Sequence, residues 1–248
     1  MQSGCRELDL IRKTYETENA FIYEAYLDTL FDPLRAINAA KDNDTNKLIN
    51  LRRAIAKGLE VPDTLVSNEL AAIHSFLRDQ QDYIIKDVAL DPIHIERAGA
   101  LFLIGLMPLK LSGKAIKERL QNNTSTYGFL FIQQYIEKRV ELRIFYLKGI
   151  CYSMAIFSQD NPKTQTDYRN YDKENPNRCV PFKLPGNVEQ QLHAFMNSIA
   201  INCGSIDMIY TPDQRFVFLE LNPIGQFQWL ARNCNYDIER AIAQFLLT

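Results

Sequence analysis

Three apolar runs follow one another between residues 129 and 157, at 129–136, 140–147 and 150–157. Each has the length of a strand and is rich in β-branched or aromatic residues, with polar breaks between them. Lys148-Gly149 separates the last two and suits a tight hairpin turn. A chain that commits its centre to antiparallel strands must cover their apolar faces, and the flanking segments offer helices to do so.

Leu8, Ile11, Tyr15, Ile22 and Tyr26 fall near helical spacing and predict a helix over 5–31, stopped by Pro33. A second helix is expected over 46–58, with Leu48, Leu51 and Ile55 on one face and Gly58 at its end. After an extended segment at 59–66, Asn68 is placed to cap a third helix carrying Ile73, Phe76 and Leu77. Residues 83–88 read as a strand, 101–104 as a strand candidate, and Ser112 opens a helix through Gln121. Val188, Leu192, Phe195 and Ile199 share one face of a helix over 187–202, which Gly204 closes. Strands at 205–211 and 215–221 form a hairpin, and a helical tail ends the chain. Residues 158–186 are polar and form the longest loop, and long loops in compact domains tend to be functional or mobile. The fold class is therefore α+β with mostly antiparallel sheets.

Composition removes several function classes. A net charge of −2 gives no electrostatic case for nucleic acid or an anionic membrane surface. The longest apolar stretch, 98–109, is too short to span a bilayer and contains Pro108. No secretory signal pattern opens the chain, so the Asn-x-Ser/Thr triplets at Asn43, Asn122 and Asn123 read as chance matches. Cys5, Cys151, Cys179, Cys203 and Cys234 are odd in number and not spaced as metal pairs, which suits reduced thiols in a cytoplasmic protein. The three histidines lie far apart in sequence and suggest no metal site. Gly113-Lys114 lacks the rest of a Walker loop, because Pro108 and Ala115 stand where Gly and Ser or Thr are needed. There is no Gly-x-Gly-x-x-Gly, and no Ser/His/Asp arrangement can be argued.

The segment 204–223 carries the chemistry. If Asp213-Gln214 is a two-residue turn, Asp207 and Glu220 face each other directly across the ladder. Asn222 lies two residues further, on the same face. Two opposed carboxylates repel unless a cation or proton sits between them. Hard oxygens suit Mg²⁺, which takes few protein carboxylates and completes its shell with water and phosphate, so the patch points to a nucleotide. The other reading is a solvated strand face with scattered charge, and a one-residue bulge would shift the register.

Gly204-Ser-Ile-Asp207 followed by Phe218-Leu-Glu220-Leu-Asn222-Pro resembles the metal-binding end of ATP-grasp ligases. Within that superfamily the sequence resembles the grasp-with-spasm peptide maturases, close to the graspetide (microviridin-type) ligases. Further stretches agree in order: Asn46-Lys47, 58–68, Ile85-Lys86, 133–138 with Glu141-Leu-Arg143, 155–159, Thr166-Asp-Tyr-Arg169, 180–185 and 222–229. The resemblance covers roughly residues 35–248. It implies an ATP-grasp fold of two α+β lobes, the smaller at about 67–138 and the C-terminal, metal-bearing lobe at 139–248. Such ligases carry an α/β subdomain before the region equivalent to 35–66. Here residues 1–34 are expected to be the helical remnant of a shortened preceding subdomain.

The resemblance also implies roles. Lys86 would contact the α- and β-phosphates of ATP. Gln133, Gln134, Tyr135 and Ile136 would form the hinge that reads the adenine edge, and Glu141 would take the ribose hydroxyls. Arg143 and Arg169 are the candidates for the γ-phosphate and the acyl phosphate, since guanidinium offers a planar fork to phosphate oxygens. Asp207, Glu220 and Asn222 would hold Mg²⁺. Each has a plainer reading: Lys86 as an exposed strand-end lysine, Glu141 and Arg143 as the wet face of a half-buried strand, Arg169 as loop surface charge. Phe216 and Phe218 are placed on the face of Glu220, where they line the nucleotide floor or simply fill the core. The implied activity joins a carboxylate to an amine or hydroxyl, as side-chain ester or amide crosslinks in a ribosomally made precursor peptide. The alternatives are an amino-acid-adding ATP-grasp ligase and a shortened member that binds nucleotide or peptide without turnover.

Overall fold

The three apolar runs of 129–157 do form strands, but they do not form one meander. In the computed structural model, which describes residues 2–30, 36–38, 45–86, 93–97, 100–104, 108–121, 129–170 and 172–247, the first run joins one sheet and the other two join another. The chain folds in the order α1 Gln2–Leu30, α2 Lys47–Ala56, β1 Thr64–Ser67, α3 Leu70–Phe76, β2 Asp82–Lys86, β3 Ile93–Arg97, β4 Ala100–Ile104, β5 Leu109–Ser112, α4 Gly113–Gln121 and β6 Leu130–Gln134. It continues with β7 Val140–Leu147, β8 Ile150–Ile156, β9 Cys179–Pro181, α5 Gly186–Ser198, β10 Cys203–Tyr210, β11 Phe216–Asn222, α6 Gln228–Cys234 and α7 Ile238–Leu247. The smaller sheet has the order β1-β6-β2-β5 and the larger β11-β10-β7-β8-β9, while β3 and β4 pair as a separate ribbon. All pairs among the described strands are antiparallel.

The break at 135–139 is too long and too charged for a hairpin, and it crosses from the smaller sheet to the larger. By contrast, Lys148 and Gly149 have φ of 46° and 93°, the pair of left-handed residues that a type I′ turn needs, and β7 and β8 pair from Leu147↔Ile150 onward. β7 is buried on both faces. Leu142, Ile144 and Tyr146 point into a core closed by α5 (Val188, Leu192, Phe195, Met196) and by Leu51 and Ala54 of α2. The alternate residues Phe145 and Leu147 meet Leu230, Ala231 and Ile238 of α6 and α7. A third cluster, with Ile73, Ile116, Leu120 and Ile132, packs α3 and α4 on the smaller sheet. The smaller sheet thus begins at β1, while α2 packs on the larger one.

Local details depart from expectation in four places. Gly204 does not close α5, which ends at Ser198, but lies within β10. In α2 the buried residues are Asn50, Leu51 and Ala54, and Ile55 is 56% exposed. Asn68 does not cap α3: Ser67 Oγ accepts the Glu69 N–H at 3.0 Å, and Glu69 itself makes no side-chain cap. Leu8, Ile11, Tyr15, Ile22 and Tyr26 of α1, expected to share a packed face, are exposed. The expected helix stop at Pro33, the boundary at 34/35, the strand end at Val88 and the triplet asparagines Asn43, Asn122 and Asn123 lie outside the described residues. No described helix is long and apolar enough to cross a membrane. Cys151, Cys179, Cys203 and Cys234 are free thiols.

Candidate functional site

The hairpin β10–β11 brings Asp207 opposite Glu220, by a route other than a two-residue turn. Its loop is 212–214: the Gln214 N–H donates to Thr211 O at 3.1 Å, and Thr211 N–H to Arg215 O at 3.1 Å. Gln214 takes the left-handed conformation, φ 68°, that ends a three-residue loop of this kind. This loop pairs Tyr210 with Phe216, Ile209 with Val217 and Met208 with Phe218. A bulge then leaves Leu219 unpaired, and Asp207 meets Glu220. The two departures cancel at the carboxylates but not between them. Phe218 therefore faces the core, edge-on to Phe195 with ring centroids 5.0 Å apart, instead of sharing the face of Glu220. Phe216 packs on the same core side, against Tyr210 and Phe182. Leu219 and Glu220 both turn to the other side.

That side is a cleft of about 690 Å³, open mouth included, between the two sheets. The smaller sheet contributes Ile84, Lys86, Gln133 and Gln134, the crossing Tyr135, Ile136 and Lys138, and the larger sheet Glu141, Asp207, Ile209, Leu219 and Glu220. Residues 166–169 of the long loop form a further wall. Of the expected site residues, Lys86, Gln133, Gln134, Tyr135, Ile136, Glu141, Arg169, Asp207 and Glu220 all line it. Arg143 stands behind this wall, registered with Asp207 across β7–β10. Asn222 is next to Glu220 along the same ladder face but not on the cleft wall: its Oδ1 accepts the Ile224 N–H at 3.1 Å.

Every carboxylate here is met by a cation. Arg143 Nη1 donates to both oxygens of Asp207, at 3.0 and 2.9 Å, and its Nε is buried without a hydrogen-bond partner. Burial, reinforced by the charge of Glu220, pushes the Asp207 carboxyl up against the pull of Arg143. Glu220 Oε2 pairs with Lys47 Nζ at 3.1 Å and Oε1 with Arg169 Nη1 at 3.5 Å. Burial alone would raise Glu220, but Lys47, Lys86 and Arg169 together hold it below the usual carboxylate range. Lys86 has its ammonium 5.2 Å from the Phe131 ring centroid, and burial lowers its pKa from 10.5 to about 8. Asp207 and Glu220 present hard oxygens from adjacent strands, a donor pair that fits Mg²⁺ brought by a phosphate ligand. Among the described residues no group of three His, Cys, Asp or Glu converges.

The crossing is tied at both ends, at its far end by the Arg139 N–H donating to Tyr210 O at 2.9 Å, and is open between them at Ile136. The N–H groups of Gln134 and Tyr135 donate to Asp63 O and Asp82 O, at 2.8 and 2.9 Å, whereas that of Ile136 has no backbone partner among the described residues. The Gln133 side chain donates to Thr64 Oγ1. Glu141 is not a wet-face residue: it accepts from Lys138 Nζ at 2.9 Å and Ser158 Oγ at 2.7 Å, and burial raises its pKa against both.

The sequence reading missed the groups that pin the long loop. Lys138 donates to Thr166 O at 3.1 Å; Asp167 binds Arg169 through both oxygens; Tyr168 stacks on Trp229 at 5.9 Å and reaches Asp207 Oδ1 at 3.5 Å. Residues 166–169 are thus fastened over the carboxylates instead of hanging free. Lys47, at the start of α2, was also missed as a partner of Glu220. Its signal was a lysine at the first position of a capped helix, where the helix dipole disfavours it.

No protein-family profile and no curated protein matches the chain. Solved structures do. The chain is 27% identical to the macrocyclase MdnC of Microcystis aeruginosa MRC, crystallised with the precursor peptide MdnA, with a TM-score of 0.74 over 96% of this chain and 72% of that one. It is 25% identical to an ATP-grasp ligase of Chryseobacterium gregarium in complex with ADP and a leader and core peptide, with a TM-score of 0.75 over 95% and 70%. With the ATP-grasp ligase PsnB it shares 17% identity and a TM-score of 0.72 over 100% and 72%. The chain has the ATP-grasp fold and resembles the peptide-maturing ligases built on it.

Proposed function

We propose that the chain is an ATP- and Mg²⁺-dependent ligase that activates a carboxylate and joins it to an amine or hydroxyl within a precursor peptide. The observation that carries this reading is the cleft itself: Lys86, Arg169, Asp207 and Glu220 on its walls, between two antiparallel sheets, in a chain similar to a macrocyclase crystallised with its precursor.

In this reading Lys86 binds the α- and β-phosphates as a point charge, and the arriving anion restores the proton affinity that burial removes. The free N–H of Ile136 reads the adenine edge, with Gln133, Gln134 and Tyr135 fixed beside it by their own backbone bonds. Glu141, already oriented by Lys138 and Ser158, accepts from the ribose hydroxyls. Asp207 and Glu220, with Asn222 beside them on the ladder, hold Mg²⁺, which when bound neutralises charge on the phosphates. Arg143 and Arg169 stabilise charge on the phosphoryl group in transit. A substrate carboxylate oxygen bonds to the γ-phosphorus and ADP leaves. The amine or hydroxyl then attacks the acyl carbon, phosphate leaves, and a proton is released. The strap 166–169 keeps water from the acyl phosphate.

The test is mass spectrometry of a candidate precursor peptide after incubation with ATP and Mg²⁺. Loss of one water per bond, with fewer carboxylates open to chemical labelling, is the expected result. Addition of a free amino acid would overturn the crosslinking reading in favour of an amino-acid-adding ligase. An unchanged peptide with a protein that binds ATP would overturn catalysis.

A further inference from the structure

Lys47 sits where a lysine is doubly unfavourable. It is the first residue of α2, whose N-cap Asn46 accepts the N–H groups of Leu48 and Ile49 at 3.0 and 3.2 Å, so its charge lies at the positive end of the helix dipole. Its side chain is only 9% exposed. A buried ammonium at such a place needs an anion, and it has one, Glu220, at 3.1 Å. Each oxygen of Glu220 then has its own cation, and both oxygens of Asp207 are taken by Arg143. Around these carboxylates stand Lys47, Lys86, Arg143 and Arg169 against Asp167, Asp207 and Glu220, one positive charge in excess. A bare divalent cation would add to that excess, whereas a metal–nucleotide complex, negative overall, would cancel it with a diphosphate and reverse it with a triphosphate. A shallow hollow lined by Thr45, Lys47, Asn50, Glu220 and Leu221 adjoins the pair.

We propose that Lys47 is a positioning residue, a resident counter-ion that holds Glu220 in place in the nucleotide-free protein and excludes divalent cations until one arrives with a nucleotide. The inference rests on the ATP-site reading and adds an order of binding to it: metal and nucleotide enter together.

The experiment is titration of the protein with Mn²⁺, followed by electron paramagnetic resonance, with and without ADP. The wild type is expected to bind Mn²⁺ weakly alone and tightly with ADP. Lys47→Met is expected to bind Mn²⁺ alone more tightly by on the order of tenfold, because a positive charge beside the site is gone. Lys47→Arg should behave as the wild type, and adding Glu220→Gln to Lys47→Met should erase the gain. Lys47→Gln, shorter and uncharged, must show the same gain, so a folding defect of one variant does not stand in for the result. Unchanged or weaker Mn²⁺ binding by the uncharged variants, with Mn²⁺–ADP binding intact in the wild type, would overturn the role of Lys47 alone. Absence of Mn²⁺–ADP binding by the wild type would overturn the nucleotide reading and this inference together.

Discussion

Lys86→Met should make the nucleotide-free protein more stable while removing its hold on ATP. Burial lowers the ammonium from 10.5 to about 8, which corresponds to about 3 kcal/mol against the charged form. That net shift already contains the attraction of Glu220, and with relaxation around the site the expected gain from an apolar side chain of similar length is ~1–3 kcal/mol at pH 7. For a chain of this size that is a rise in Tm of roughly 3–10 °C. The sign follows from the two states. Below about pH 8 Lys86 is protonated whether folded or unfolded, and only the folded protein bears the desolvation cost. Between pH 8 and 10.5 the folded form releases its proton first and the cost fades. The advantage of methionine should therefore be full at pH 7 and nearly absent at pH 10.5. Urea denaturation of both proteins across that range is the assay. A variant less stable than the wild type at pH 7, or a gain that ignores pH, would refute the reasoning. In binding assays, the variant should lose ATP affinity more than AMP affinity, since only ATP carries the β- and γ-phosphate charge.

Asp207→Ala leaves the Arg143 guanidinium buried and unpaired and should cost about 3–5 kcal/mol by chemical denaturation, most of it recovered when Arg143→Met is added. Glu220→Gln should lower metal-dependent ADP release on the order of a hundredfold, measured with the precursor peptide. Lys138→Met cuts the tie from Glu141 to Thr166 O, and amide exchange across 164–169 should quicken while that of β7 stays slow. Gly113→Ala would place a Cβ 2.2 Å from Arg78 O, a backbone atom that cannot swing away, and should cost at least ~2 kcal/mol in thermal unfolding.

Strands and helices were legible where an apolar run has the length of a strand, as in β7 and β8, or where apolar residues recur at helical spacing, as in α5. The partition into two sheets was not. The runs at 129–136 and 140–147 look alike in sequence, and only the length and charge of the break between them hint that the chain changes sheet there. The facing of Asp207 and Glu220 was readable, but through a turn that does not exist. Turn type depends on whether Gln214 can take a left-handed conformation, which side-chain identity alone does not decide. Lys47 and Tyr168 escaped because their partners lie far away in sequence: 173 residues separate Lys47 from Glu220, and 39 separate Tyr168 from Asp207. Such pairs exist only once two elements have packed.

The bulge at Leu219 makes this strand unusually forgiving of a change in length. Losing one residue from the middle of a strand ordinarily turns every later side chain inside out. Here Met208↔Phe218 and Asp207↔Glu220 already bracket Leu219, so its excision would leave both pairs, and both faces, as they are. The carboxylates would stay in the cleft and Phe218 in the core, while the local bend and the packing of Leu219 against the Ile136, Ile209 and Val217 cluster would go. A deletion at this one position is thus evolutionarily inexpensive. Chains of the same architecture can differ by a residue between the core aromatic and the acidic side chain without any change in what the acidic side chain faces.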